Sequence, residues 1–128
     1  MSGIIGTSHS KSKVIGRSQD TAKAWVNFDG TTNTGGLCTI RDSFNISSVT
    51  DDETGRYTCT FSSAMPNTNY CAVPGGLADN YSSGDVAPRM GPWLRTMNTA
   101  NVQLQLATQI SGGSVTDWPL LTCVVFGD

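Results

Sequence analysis

Apolar and polar residues alternate with a period of two in several separate stretches of this chain. No stretch shows the 3.6-residue period of a helix. Tyr57, Cys59 and Phe61 alternate with Arg56, Thr58 and Thr60. Val102, Leu104 and Leu106 alternate with Gln103 and Gln105. Ala24, Val26 and Phe28 oppose Trp25 and Asn27. A strand with one face inward and one outward produces this pattern, and several such strands between turn signals make an antiparallel body.

The punctuation between these runs divides the chain. Asp29-Gly30 is expected to end the first strand, with a loop through "TTNTGG". The second strand is expected from Leu37 to Ile46, with Cys38, Ile40, Asp42, Phe44 and Ile46 sharing the inward face. "SSVTDDETG" reads as a loop closed by Gly55, so that the second strand and "RYTCTF" form a hairpin. "YCAVPG" reads as a short strand stopped by Pro74-Gly75, and residues 75–92 as a long surface excursion. "NVQLQLATQI" and the apolar "LLTCVVF" complete the set. The expected fold is all-β, an antiparallel β-sandwich of jelly-roll type, with residues 1–22 as an extended N-terminal arm and residues 23–128 as the knob.

Composition narrows the function classes. Charged residues are 14 % of the chain and the net charge is −2, which gives no overall attraction to nucleic acid. No run approaches the ~20 apolar residues of a membrane helix, so membrane insertion is not expected. The charges are uneven: residues 1–24 carry Lys11, Lys13, Arg17 and Lys23 against Asp20 alone, so a basic arm precedes a mildly acidic body. The start has no apolar run of secretory type, so synthesis in a reducing cytoplasm is expected. Cys38, Cys59, Cys71 and Cys123 are then free thiols, acting as small hydrophobes. Their spacing includes no C-x-x-C pair and His9 is the single histidine, so no metal site is expected.

Candidate chemistry is sparse. "DDETGRYTC" has a local likeness to the tyrosine corner of immunoglobulin domains, but Cys38 lies only 21 residues before Cys59 and no Trp falls between them. His9 has no group to orient it, and Asp51, Asp52 and Glu53 are consecutive, as in a solvated turn. No catalytic set or cofactor motif is visible, and a non-enzymatic role is expected. Asn45-Ile46-Ser47 and Asn80-Tyr81-Ser82 match the glycosylation sequon and are read as chance. Tyr81, Arg89, Trp93 and Arg95 gather the residue types that anchor interfaces, and are the candidate recognition residues.

The arm contains a repeated phrase, Ile4-Ile5-Gly6-Thr7-Ser8 and Val14-Ile15-Gly16-Arg17-Ser18, around a polar basic spacer. Two aliphatic dyads are too few to form a core of their own. With Lys11, Lys13 and Arg17 they read as a docking strap for another copy or another protein.

"KAWVNFDGT", "TIRDSFNISSVTDDETGRYTCTFSSAMPNTNYC" and the C-terminal "VVFGD" resemble a domain recurrent in tail-fibre and other virion appendage proteins of tailed bacteriophages, marine ones especially. The likeness covers residues 23–73 and 124–128. It implies a non-enzymatic virion component without cofactors, assembled in the host bacterial cytoplasm, usually as a homotrimer. The arm would dock on other virion proteins through Ile4, Ile5, Lys11, Lys13, Val14, Ile15 and Arg17. The knob would face outward, toward a neighbour or a host-surface glycan or protein. A free-standing carbohydrate-binding β-sandwich is the alternative.

Overall fold

The computed structural model describes residues 21–77, 89–108 and 115–127. Among these residues every regular element is a strand. They are β1 (Ala22–Thr34), β2 (Leu37–Phe44), β3 (Ile46–Glu53), β4 (Arg56–Phe61), β5 (Cys71–Leu77), β6 (Arg89–Met97), β7 (Asn101–Thr108) and β8 (Leu120–Phe126). All pairings are antiparallel, in one ladder of order β5-β8-β1-β2-β3-β4-β7-β6. The sheet is nearly barrel-shaped, and its edge strands β5 and β6 approach each other without a ladder between them. The all-β antiparallel expectation holds.

The ladder has one weak seam. β2 and β3 share a single paired position, Leu37 with Thr50, whereas the neighbouring ladders hold five or more. The sheet therefore consists of two four-strand halves: β5-β8-β1-β2 and β3-β4-β7-β6. Asn45 sets the corner between them. It has a left-handed φ of 55°. Its side-chain Nδ2 donates to Lys23 O and Ser63 O, each at 3.1 Å, and its Oδ1 accepts from Ser63 N at 2.7 Å. Asn is among the few non-glycine residues that tolerate this φ, because its short amide can bond locally. With Nδ2 committed to two carbonyls, Asn45 is a corner brace.

Several expected boundaries shift. The span from Leu37 to Ile46 is not one strand: it breaks at Asn45, and Phe44 and Asp42 face outward. The expected loop 47–55 is mostly β3, which pairs with β4 around a tight turn at Gly55. The hairpin partner of β4 is therefore β3. Asp29-Gly30 does not end β1; the strand continues to Thr34 through an irregularity. There Asp29 Oδ1 accepts from Thr31 N (3.0 Å) and Thr31 Oγ1 (2.6 Å), an Asx-type bond absorbed within the strand. Pro74 does not stop β5, because β5 is an edge strand and a missing N–H costs nothing on its open side. The excursion through residue 92 ends early, since β6 starts at Arg89.

The core lies between the two halves. Phe28 of β1 and Tyr57 of β4 meet edge to face at 5.3 Å, linking one half to the other. Val26, Leu121 and Val125 from one side and Val49, Cys59, Val102 and Leu104 from the other are almost fully buried. Burial of this kind contributes roughly 1.5–3 kcal/mol for each large apolar side chain. One end is closed by buried Trp118 and a polar knot. Tyr57 Oη donates to Asp117 Oδ1 (2.7 Å) and approaches Gly30 O (3.2 Å), Gly55 N donates to the same Oδ1 (2.7 Å), and Gly30 N donates to Trp118 O (3.0 Å). Gly30 has no alternative here, because a Cβ would sit 2.6 Å from Tyr57 Oη and 2.8 Å from Trp118 O. Tyr57 thus ties β4 to a distant segment, and its hydroxyl does not make an immunoglobulin-type corner.

All four cysteines are free thiols. Cys38, Cys59 and Cys123 are buried as expected, but Cys71 is exposed, because it points outward from edge strand β5 opposite Phe126. Burial pushes the thiols of Cys38 and Cys123 up to about 12, and that of Cys59 well above its ordinary value.

Candidate recognition surface

The outward side chains of the β3-β4-β7-β6 half are mostly polar. Gln103 Nε2 donates to Thr58 Oγ1 at 3.0 Å, and Thr58 Oγ1 donates to Asp52 Oδ2 at 2.6 Å. Arg56 pairs with Glu53 and sits opposite Gln105 in the β4–β7 ladder. Each of the three consecutive acids has its own partner: Asn33 Nδ2 donates to Asp51 Oδ2 at 2.7 Å, Thr58 takes Asp52, and Arg56 takes Glu53. They share no common centre, and no group of metal-ligating side chains occurs among the described residues.

At the free edge of this half the pattern changes. Trp93 on β6 lies opposite Gln105 on β7 and is 49 % exposed. Two register shifts flank it, between Met90 and Trp93 and between Leu94 and Thr96. The second accommodates Arg95, whose Nη1 donates to Gln105 Oε1 at 3.3 Å. Such bulges re-aim side chains and increase local twist. Trp93, Leu94, Arg95 and Gln105 line an open groove of about 250 Å³. Arg95 has no carboxylate within ion-pair distance among the described residues.

This arrangement offers groups that can bind. An exposed indole offers a flat apolar face, and the guanidinium and the amide NH₂ supply donors beside it. The faces of pyranose rings are apolar C–H surfaces bordered by hydroxyls, which matches that set. Trp93 and Arg95, two of the candidate recognition residues, line the same groove. The backbone of Arg89 pairs with Thr108 at the start of β6, while its side chain and Tyr81 lie outside the described residues. The docking residues Ile4, Ile5, Lys11, Lys13, Val14, Ile15 and Arg17 lie outside them too. Gln105 was missed, because in the sequence it is only the polar partner in the alternation of β7; its cross-strand position opposite Trp93 was the lost signal.

Comparison of the chain with family models, with curated proteins and with solved structures finds no match.

Proposed function

We propose that this chain is a structural protein of a bacteriophage virion, an appendage or decoration knob whose Trp93–Arg95–Gln105 groove meets a host-surface glycan. The resemblance of residues 23–73 and 124–128 supports the virion part. The groove carries the recognition part: it sets a half-exposed indole beside two donors on an edge strand. In this reading the two halves of the sheet are the leaves of a flattened, jelly-roll-like sandwich. The arm attaches the knob to other virion proteins, and the knob assembles as a homotrimer. A free-standing carbohydrate-binding module is the second reading, favoured by the groove alone.

Two measurements test the proposal. Mass spectrometry and immunogold labelling of purified particles should find the chain on the virion surface. A glycan array probed with the purified protein should show binding that Trp93→Ala abolishes. Glycan binding without virion location would leave the free-standing module. An array that W93A does not change would remove the groove from the function.

A further inference from the structure

The β5-β8-β1-β2 half presents a different outer face. The ladders place Val73 beside Val124, Val124 beside Trp25, and Trp25 beside Phe44, in one row across four strands. Phe126 and Cys71 extend it by one pair on the side where the chain enters β1, and Ala22 lies beside Phe126. Phe44 is 54 % exposed and Val73 50 %, and Cys71 is exposed as well. Trp25 and Val124, between Phe44 and Val73, are partly buried; a contiguous apolar row on the outside of a sheet is more informative than scattered single residues, which are ordinary.

Size and chain connectivity point to what covers it. The row spans four strands, about 14 Å, and offers on the order of 300 Å² of apolar surface. A second globular copy needs about 800 Å² per partner for a stable interface, so the row by itself is too small. One short stretch of extended chain fits it. The chain outside the described residues supplies such a stretch: Ala22 lies at the edge of the row, residues 1–20 precede it in the sequence with Thr21 between, and the dyad Val14-Ile15 is seven residues before it. Seven residues reach up to about 24 Å. Trp25 is three residues inside β1, about 10 Å away, so a reversal over residues 16–21 returns the dyad to the row with length to spare. Gly16, directly after the dyad, is suited to that reversal. The charges agree: residues 1–20 hold Lys11, Lys13 and Arg17 against Asp20, the rest of the chain holds five cations against nine acids, and exposed Asp42 lies beside the row on β2.

We infer that Val14 and Ile15 fold back onto the Trp25–Phe44–Val124 row of their own chain. The distal dyad, Ile4-Ile5, is then the part of the arm left for an external partner. The arm thus has two segments with different addresses, one intramolecular and one outward.

Cys71 is a native reporter of cover on this face. In the reduced chain of residues 1–128 its reaction with an aromatic disulfide reagent should be at least ten-fold slower than in the V14D/I15D variant. The rate should not depend on protein concentration, and I4D/I5D should leave it unchanged. A second reporter, V124C in a C71S background, reads the centre of the row and should give the same ranking. Melting curves identify any variant that fails to fold, and the milder V14S/I15S pair then replaces it. Equal rates in the parent and V14D/I15D at both reporters would overturn the inference. So would protection that rises with protein concentration, which would assign the row to a second copy, or a loss of protection in I4D/I5D alone.

Discussion

The two halves of this sheet bury similar inner faces and expose opposite outer ones. β5-β8-β1-β2 carries the row Val73, Val124, Trp25 and Phe44 outside, whereas β3-β4-β7-β6 carries Asp52, Thr58, Gln103 and Gln105, with Trp93 at its rim. Inside, each contributes large side chains to one core, and Phe28 meets Tyr57 across it. Inner faces answer only to packing, so both halves satisfy the same rule. Outer faces are free to differ, and their difference is where function is written. An apolar outer face suits a permanent partner that excludes water. A polar face with one exposed indole and hydrogen-bonding neighbours suits a ligand that comes and goes.

The comparison makes graded predictions. The largest effect lies where the halves meet. Phe28→Ala should remove the cross-core contact and cost about 3–5 kcal/mol, measured by urea denaturation; a loss below ~1 kcal/mol would mean that the halves hold together by other means. Next is the knot at the core's end. Tyr57→Phe keeps the ring but removes the donor to Asp117, at a cost of about 1.5–3 kcal/mol for a bond to a charged acceptor. Gly30→Ala should weaken the same end, because its Cβ has no room.

Alkaline pH probes the interior of both halves at once. Cys38, Cys59 and Cys123 all have raised folded pKa values, so folding holds their protons more tightly than the unfolded chain does. Their contribution is complete below the unfolded value of about 9 and is lost as pH rises toward about 12. Under reducing conditions the Tm should fall progressively above pH 9, and Cys123→Ala should flatten that decline. A Tm that is constant from pH 8 to 11 would contradict the burial of these thiols. The smallest stability effects are expected on the outer faces: Trp93→Ala should change folding free energy by about 0.5 kcal/mol or less, and Phe44→Ser by more, because it also weakens the cover of its row. The consequence of Trp93→Ala belongs to binding.

The inward residues were legible because period-two alternation is a direct imprint of one-sided burial. Val26, Phe28, Tyr57, Cys59, Phe61, Val102, Leu104 and Leu106 all fall where the pattern puts them. What failed was punctuation. Asp29-Gly30 and Pro74-Gly75 carry turn chemistry, yet one is absorbed in an irregular stretch of strand and the other lies on an edge, and neither circumstance is visible without neighbours. The break at Asn45 was hidden for the opposite reason. The alternation continues across it, and only the three hydrogen bonds to Lys23 and Ser63 show why the chain turns there. At the candidate site, Trp93 and Arg95 were readable as interface-type residues. Gln105 was not, because its role depends on a cross-strand register. The apolar row was partly legible as Trp25 on the outward side of its strand, but its extension to Phe44, Val124 and Val73 required the strand order.

The division of the outer surface is the central claim, and one paired measurement tests it most directly. Trp93→Ala and Phe44→Ser are compared with the parent in two assays on the same preparations: capture by immobilised host-surface glycan, and reaction of Cys71 with a thiol reagent. Trp93→Ala should lose glycan capture and leave the Cys71 rate unchanged, while Phe44→Ser should accelerate Cys71 and leave capture unchanged. If either substitution moved both readouts together with an unchanged melting temperature, the two faces would be one site and the division would be wrong.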